Sequence, residues 1–275
     1  MGFVTLTSDL GQKDPSVSLV KIDLLKDFSS LNIVDISHAI SPFNKLEAYF
    51  ILKTAYKFFP ENTIHLVGVD DACKINEPHL VVEVNNHFFV GADNGILSLL
   101  LKNENISKII ELSNKVFNTN SSFPLKDVFV PVAKHILRGG KIELLGKKKT
   151  SLNDLLTTTV KIKDNSNLIG EVIYIDNYGN AVTNIEKVLY DSIKNNRRFE
   201  ILFKNYTVTK IYENYYELVT KKEKEESFHG DLGIIFNSNS LLEIFIYKSN
   251  PQTVGSANQL LGLSIGSKVY INFFN

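Results

Sequence analysis

The sequence predicts an α/β protein: an N-terminal α/β domain with a mostly parallel central sheet flanked by helices, then a smaller C-terminal antiparallel β domain. Three observations carry this. From residue 1 to about 140, β-branched apolar runs alternate with runs of helical spacing, the signature of strand–helix–strand units. From Leu168 onward short strand-like runs multiply and helical periodicity mostly disappears. Between the two, Lys141 to Asn167 turns polar, with Lys147-Lys148-Lys149 and Asp164-Asn165-Ser166-Asn167, so the expected domains are 1–160 and 161–275.

In order, Val4 to Ser8 reads as a buried strand that ends in Asp9-Leu10-Gly11, and Ser16 to Asp27 as the first helix. Leu31 to Ile36 is the next strand, followed by the proline-punctuated loop Ser37 to Asn44. Lys45 to Phe59 has the spacing of an amphipathic helix, stopped by Pro60-Glu61-Asn62. Thr63 to Val69 is a strand ending in Asp70-Asp71, a second acid at a strand's carboxyl end. Leu80 to Val84 and His87 to Val90 form a hairpin closed by Asn85-Asn86. Gly91-Ala92-Asp93-Asn94-Gly95 is a tight turn into the helix Ile96 to Lys102, and Val128 to Leu137 is an apolar helix closed by Gly139-Gly140. Downstream, strands are expected at Gly170 to Ile175, Arg198 to Phe203, Tyr206 to Ile211, Asp231 to Phe236, Leu241 to Tyr247 and Lys268 to Phe274, with a helix over Ile185 to Lys194.

The 275 residues, 44% of them hydrophobic, suffice for a substantial core, and the formal net charge of zero gives no field favouring nucleic acid or an anionic membrane. A single cysteine, Cys73, excludes an internal disulfide and a cysteine zinc cluster and fits a reducing compartment. No basic segment precedes the first strand and no apolar run approaches the ~18 residues of a membrane span, so a cytoplasmic protein is expected. Dinucleotide, P-loop and nucleophile-elbow motifs are absent, and the six histidines show no i, i+4 pair, so no metal site is expected.

Candidate site residues follow from strand ends and turns. In open α/β sheets ligands bind beyond the carboxyl ends of the strands, and a carboxylate there, such as Asp9, can accept both hydroxyls of a ribose diol or can cap the following helix. The stretch Asp176-Asn177-Tyr178-Gly179-Asn180-Ala181-Val182-Thr183-Asn184 reads by itself first as an Asx-rich turn, and it also offers a carboxylate, a stacking face and amides suited to a heterocycle edge.

Taken together, Thr7-Ser8-Asp9-Leu10-Gly11 with Asp14-Pro15-Ser16, Val34-Asp35-Ile36-Ser37-His38 with Pro42-Phe43, Gly91 to Gly95, Lys126-Asp127-Val128-Phe129 and Ile175 to Ile185 resemble one family. It is the family of S-adenosylmethionine hydroxide adenosyltransferases, also called S-adenosylmethionine hydrolases, related to the bacterial fluorinase and chlorinase. The resemblance runs from the first strand to Leu260-Leu261-Gly262-Leu263. It implies a homotrimer with the site between neighbouring copies, and S-adenosylmethionine or adenosine as the small-molecule ligand, with no cofactor beyond that substrate. By the same resemblance Asp9 holds the ribose hydroxyls, Ser16 lies near the methionine end and Phe43 lines the pocket by the reacting carbon, while Asn94 belongs to the binding set. Asp176 faces the methionine amino group, Tyr178 stacks on adenine, Asn180 bonds its edge and Asp70 is catalytic.

The sequence departs from the family at two points. The family's arginine would fall near Pro78, and no arginine lies in Asp71 to His79; the family's histidine is replaced by Pro124. Lys126, Lys74 and His79 are the candidate replacements. The expected reaction is displacement by water at the ribose 5′ carbon, giving adenosine and methionine. The alternative is a catalytically inactive binder of S-adenosylmethionine or adenosine; a halogenase is disfavoured by Leu125, where a hydroxyl donor to halide is expected.

Overall fold

In the computed structural model, which describes residues 2–164, 166–219 and 224–274, the chain divides into two compact units, Met1–Leu156 and Thr157–Asn275. The first contains β1 (Phe3–Ser8), α1 (Ser16–Asp27), β2 (Asn32–Ser37), α2 (Lys45–Ala55), β3 (Ile64–Gly68), β4 (His79–Val84), β5 (His87–Ala92), α3 (Ile96–Leu101), β6 (Ile106–Leu112), α4 (Val130–Leu137) and β7 (Gly146–Lys148). Its sheet runs β2-β1-β3-β5-β4-β6-β7, with β2, β1, β3 and β5 mutually parallel. Because those four strands point the same way, Ser37-His38, Asp9, Asp70 and Asp93-Asn94 all emerge at one edge.

Alternate residues of the strands feed two apolar layers. Val4, Leu6, Leu66 and Val90 pack with Val20 and Leu24 of α1 and Val132 and Ala133 of α4; Val67, Val82 and Phe89 pack with Ala48 and Leu52 of α2 and Leu97 of α3. Both faces are therefore buried, which is why these strands read as near-continuous apolar runs. Helix α2 stops at Ala55 and continues as one tighter turn over Tyr56–Phe58, earlier than its periodicity suggests. Strand β6 went unpredicted because Ile106–Leu112 alternates charge with apolar residues at the sheet's far side. A π-helical turn, Leu125–Phe129, precedes α4.

The second unit is an antiparallel sheet, β12-β11-β15-β9-β10-β14-β13, built from β8 (Lys161–Lys163), which pairs with β9 (Asn167–Ile175), then β10 (Ala181–Glu186), β11 (Arg198–Phe203), β12 (Tyr206–Val208), β13 (Leu232–Phe236), β14 (Leu241–Ile246) and β15 (Lys268–Phe274). It carries α5 (Lys187–Lys194) and the short α6 (Ala257–Leu260). The expected strand at Tyr206 to Ile211 ends at Val208, and part of the Asx-rich stretch is itself strand β10. No helix among the described residues is long and apolar enough to cross a membrane.

One polar cluster lies inside the first unit. His65 is fully buried between Thr5 and Phe89, its Nδ1 2.8 Å from Thr5 Oγ1 and its Nε2 3.2 Å from His87 Nδ1. Burial, then the neighbouring His87, pushes the His65 imidazole down to about 3. The folded protein thus binds this proton less readily than the unfolded chain, whose histidine titrates near 6.5. The stabilisation is complete above pH ~6.5 and is lost as the pH falls toward 3. Asp71, Asp176 and Glu243, whose pKa values burial raises, act in the opposite sense, so a variant difference isolates the effect. In urea titrations the stability advantage of wild type over His65→Gln should shrink by at most about 1.4 kcal/mol per pH unit below pH ~6.5. A constant advantage from pH 7.5 to 5 contradicts this.

Candidate active site

The parallel-strand edge is organised by the Asp9 carboxylate. Its main-chain N–H donates to the Gly68 carbonyl at 3.3 Å, which ties the end of β1 to the end of β3. Its side chain does not cap α1, whose N-cap is Pro15; instead Oδ2 accepts the Phe43 N–H at 2.8 Å and, more weakly, the Asp70 N–H at 3.4 Å. Oδ1 has no hydrogen-bond partner among the described residues. Phe43 and Asp70 both have left-handed backbone, φ 63 and 45 respectively. For residues with a Cβ this conformation costs about 1–3 kcal/mol and persists only where surroundings impose it. Here one carboxylate oxygen serves both.

Each partner is held from a second side. Asn44 caps α2 by accepting the Glu47 N–H at 3.1 Å, while Glu47 Oε2 accepts from Ser41 N–H and Asn44 Nδ2, both at 3.0 Å. This reciprocal cap fixes the loop that presents Phe43, whose ring is 72% exposed. Asp70 is fixed by Asn94, which donates both amide hydrogens, to the Val69 carbonyl at 2.9 Å and the Asp70 carbonyl at 3.1 Å. Asn94 is almost fully buried, and its own Oδ1 accepts the Ile96 N–H at 3.3 Å. It supports the site from behind, with little left to offer a ligand.

The Asp70 carboxylate meets two cations. Lys74 Nζ lies 3.1 Å from both of its oxygens, and Lys45 Nζ, from the first turn of α2, lies 3.1 Å from Oδ2. Glu77 completes the group, 2.8 Å from Lys74 and 3.4 Å from Lys45. The bond to Glu77, opposed by partial burial and aided by Asp70, raises the Lys74 pKa, so this ammonium stays charged. Of the three candidate replacements for the arginine, Lys74 alone touches Asp70. Lys126 pairs with Asp127 at 2.8 Å, and His79 donates through Nε2 to the Asp71 carbonyl at 2.8 Å with its ring against Phe129. Lys45 escaped sequence reading because nothing in a helix-surface lysine announces a contact to a strand end. Asp71, half-buried, is pushed up to about 6, chiefly by desolvation and then by the charge of Asp9. Leu125 is buried against Gly68, where an added Cβ would lie 2.8 Å from its side chain, and it brings no hydroxyl to the site. Ser16 opens α1, and among the described residues no hydrogen bond ties it to this cluster.

A second constellation sits in the C-terminal unit. Asp176 Oδ1 accepts the N–H groups of Tyr178 at 2.9 Å and Asn180 at 2.8 Å, closing the turn with Gly179 at φ 76. Any side chain at Gly179 would collide with Ser256, whose Oγ would lie 2.0 Å from an added Cβ. The Asn180 amide is shared between Asp176 and Glu243, both at 3.1 Å, and Glu243 is held by Tyr215 at 2.6 Å and Asn237 at 2.9 Å. Burial raises the pKa of Asp176 and of Glu243. Tyr178 projects its ring, 68% exposed. Glu243 and Tyr215 were missed by sequence because β14 and a remote turn bring them to Asn180. Among the described residues no group of His, Cys, Asp and Glu is placed to hold a metal.

Family models for the SAM hydroxide adenosyltransferase N-terminal domain and C-terminal domain match residues 4–146 and 170–270. The chain belongs to the SAM hydroxide adenosyltransferase family. It is 27% identical, over 91% of its own length and 90% of the relative's, to the (R)-S-adenosyl-L-methionine hydrolase of Methanocaldococcus jannaschii. The protein of that name from Thermus thermophilus is 28% identical over 66% of this chain and 74% of its own. An uncharacterized conserved protein from Thermotoga maritima has a similar structure, with TM-score 0.81 and 25% identity over 98% of this chain and 99% of that one.

Because the Phe43 ring is mostly exposed while its backbone is strained, Phe43→Gly should leave stability within about 1 kcal/mol of wild type, strain relief offsetting the added chain entropy. Asp9→Ala strands two N–H groups and should cost about 1–3 kcal/mol. Urea unfolding of both variants checks the contrast; a Phe43→Gly loss exceeding that of Asp9→Ala contradicts it.

Proposed function

We propose that this chain hydrolyses S-adenosyl-L-methionine to adenosine and L-methionine. The observation that carries the reading is the Asp70 carboxylate, bonded to the Lys74 and Lys45 ammonium groups and joined through its own N–H to Asp9. Water attacks the ribose 5′ carbon as the C5′–S bond breaks, its electrons pass to the sulfonium, and neutral methionine leaves. Because a sulfonium is already a good leaving group, alignment of the nucleophile and exclusion of bulk water do most of the work. Asp70 orients that water and accepts its proton, while Lys74 and Lys45 stabilise the developing hydroxide in place of the missing arginine.

Asp9 Oδ1 is the acceptor for the ribose diol, and the Phe43 ring covers the reacting carbon. Tyr178 supplies a face for adenine, and Asn180, its amide hydrogens committed to Asp176 and Glu243, offers its carbonyl to the adenine amino group. Asp176 and Ser16 meet the methionine end, and Asn94 acts by holding Asp70. The homotrimer follows from the family resemblance, with each ligand held between neighbouring copies, and the mostly exposed rings of Phe43 and Tyr178 suit such a seam. A cytoplasmic location agrees with the lone Cys73.

Purified protein should release adenosine from S-adenosyl-L-methionine, followed by chromatography. Asp70→Asn should lower kcat about 10²- to 10⁴-fold with KM nearly unchanged, as loss of a general base does. Asp9→Ala should chiefly raise KM, about 10- to 100-fold, since bonds to a charged acceptor contribute roughly 1.5–3 kcal/mol each. Lys74→Ala should lower kcat with KM retained. Binding of S-adenosylmethionine without adenosine release above the Asp70→Asn control contradicts hydrolysis and identifies the inactive binder, for which the proline at position 124 is the supporting feature.

A further inference from the structure

A chain of polar groups, partly exposed at Lys21 and Asp35 and buried at His38 and Ser8, reaches the Asp9 turn from the side away from Asp70. Lys21 of α1 donates to Asp35 Oδ2 at 2.5 Å. Asp35 Oδ1 lies 3.2 Å from His38 Nε2, an oblique contact, and His38 Nδ1 lies 2.6 Å from Ser8 Oγ. Ser8 Oγ also receives the Leu10 N–H at 3.4 Å. The His38 main chain adds a second hold, its carbonyl accepting the Gly11 N–H at 2.9 Å. One residue therefore grips the chain on both sides of Asp9, at Ser8 and at Gly11.

The composition of this group, serine, histidine and aspartate, matches a nucleophilic triad, but its burial does not. Ser8 has no exposed surface, and Oγ is committed to His38 and Leu10, so no substrate atom can reach it for attack. What the group can do is fix a conformation. With Nε2 protonated toward Asp35, Nδ1 accepts the Ser8 hydroxyl hydrogen, and that hydroxyl oxygen is turned toward the Leu10 amide. Asp35 is itself more than one-third exposed, and Lys21 anchors it. Such an arrangement sets the direction in which the next residue, Asp9, presents its free oxygen.

We propose that His38, braced by Asp35 and Lys21, is the positioning residue that aims Asp9 at the ribose diol. The inference rests on the proposed role of Asp9 in binding the nucleoside. His38 touches no reacting atom and acts only through the turn that carries Asp9.

The test compares wild type, His38→Ala, His38→Asn, Asp35→Asn, Asp9→Ala and the His38→Ala/Asp9→Ala double variant for adenosine release from S-adenosyl-L-methionine. His38→Ala should raise KM about tenfold with kcat within about twofold, the scale usual for loss of a group that orients a ligand-binding side chain. In the Asp9→Ala background the same change should add almost nothing, because the group it serves is gone. His38→Asn, whose amide can replace Nδ1 toward Ser8, should recover most of the loss. Asp35→Asn, an isosteric change at a partly exposed position, should shift KM in the same direction. Additive effects in the double variant, a loss confined to kcat, or an unchanged KM in His38→Ala overturns the inference. The amide proton of Phe43, bonded to Asp9, reports the same displacement without turnover: its NMR resonance should move in His38→Ala and return in His38→Asn, and an unmoved resonance also overturns the inference. Absence of adenosine from wild type would defeat the proposed function while leaving that resonance to decide the role of His38.

Discussion

A single acceptor, Asp9 Oδ2, holds the backbone N–H groups of two residues that lie 34 and 61 positions away, Phe43 and Asp70. Both are in left-handed conformations that carry a local cost, and neither sits in a turn rich in glycine that would favour it. The carboxylate offsets that cost and in doing so brings the exposed ring of Phe43, the charged group around Asp70 and its own free oxygen to one sheet edge. Parallel strands make this possible, because β1 and β3 deliver Asp9 and Asp70 side by side with their following loops free to diverge.

Around Asp70 the electrostatics are balanced by small point charges. Two lysines, one from α2 and one from the loop after β3, face two carboxylates, Asp70 and Glu77. An arginine would offer a planar fork of fixed geometry, whereas two ammonium groups offer compact charges that move independently on flexible stems. The two pairs cancel, so the Asp70 charge is compensated without the directional constraint of a guanidinium. Pro124 stands at the start of the π-helical turn and Leu125 packs on Gly68, so neither brings a titratable side chain to this edge.

Much of this was legible from the sequence because it depends on local pattern. Buried parallel strands read as apolar runs, and an acid directly after such a run marks the carboxyl edge of the sheet, which located Asp9 and Asp70. The Asx-rich turn at Asp176 to Asn180 was legible for the same reason. What escaped were contacts made across the sheet or from a helix surface: Lys45 on Asp70, Glu243 and Tyr215 behind Asn180, and the line from Lys21 to Ser8. Choosing among Lys74, Lys126 and His79 required the closure of the loop between Lys74 and Glu77, a property of backbone geometry that spacing does not encode. Strand β6 was missed because a strand at the far side of a sheet need not be apolar throughout.

The proposed roles, Asp9 as organiser of a nucleoside site and Asp70 as its neighbour in the chemistry, are tested most directly by a crystal structure of the Asp70→Asn protein with S-adenosyl-L-methionine bound. The expected result is both ribose hydroxyls on Asp9, with a water between residue 70 and the 5′ carbon, in line with the carbon–sulfur bond and within reach of Lys74. A ribose bound elsewhere, with Asp9 contacting only Phe43 and the residue at position 70, would contradict it.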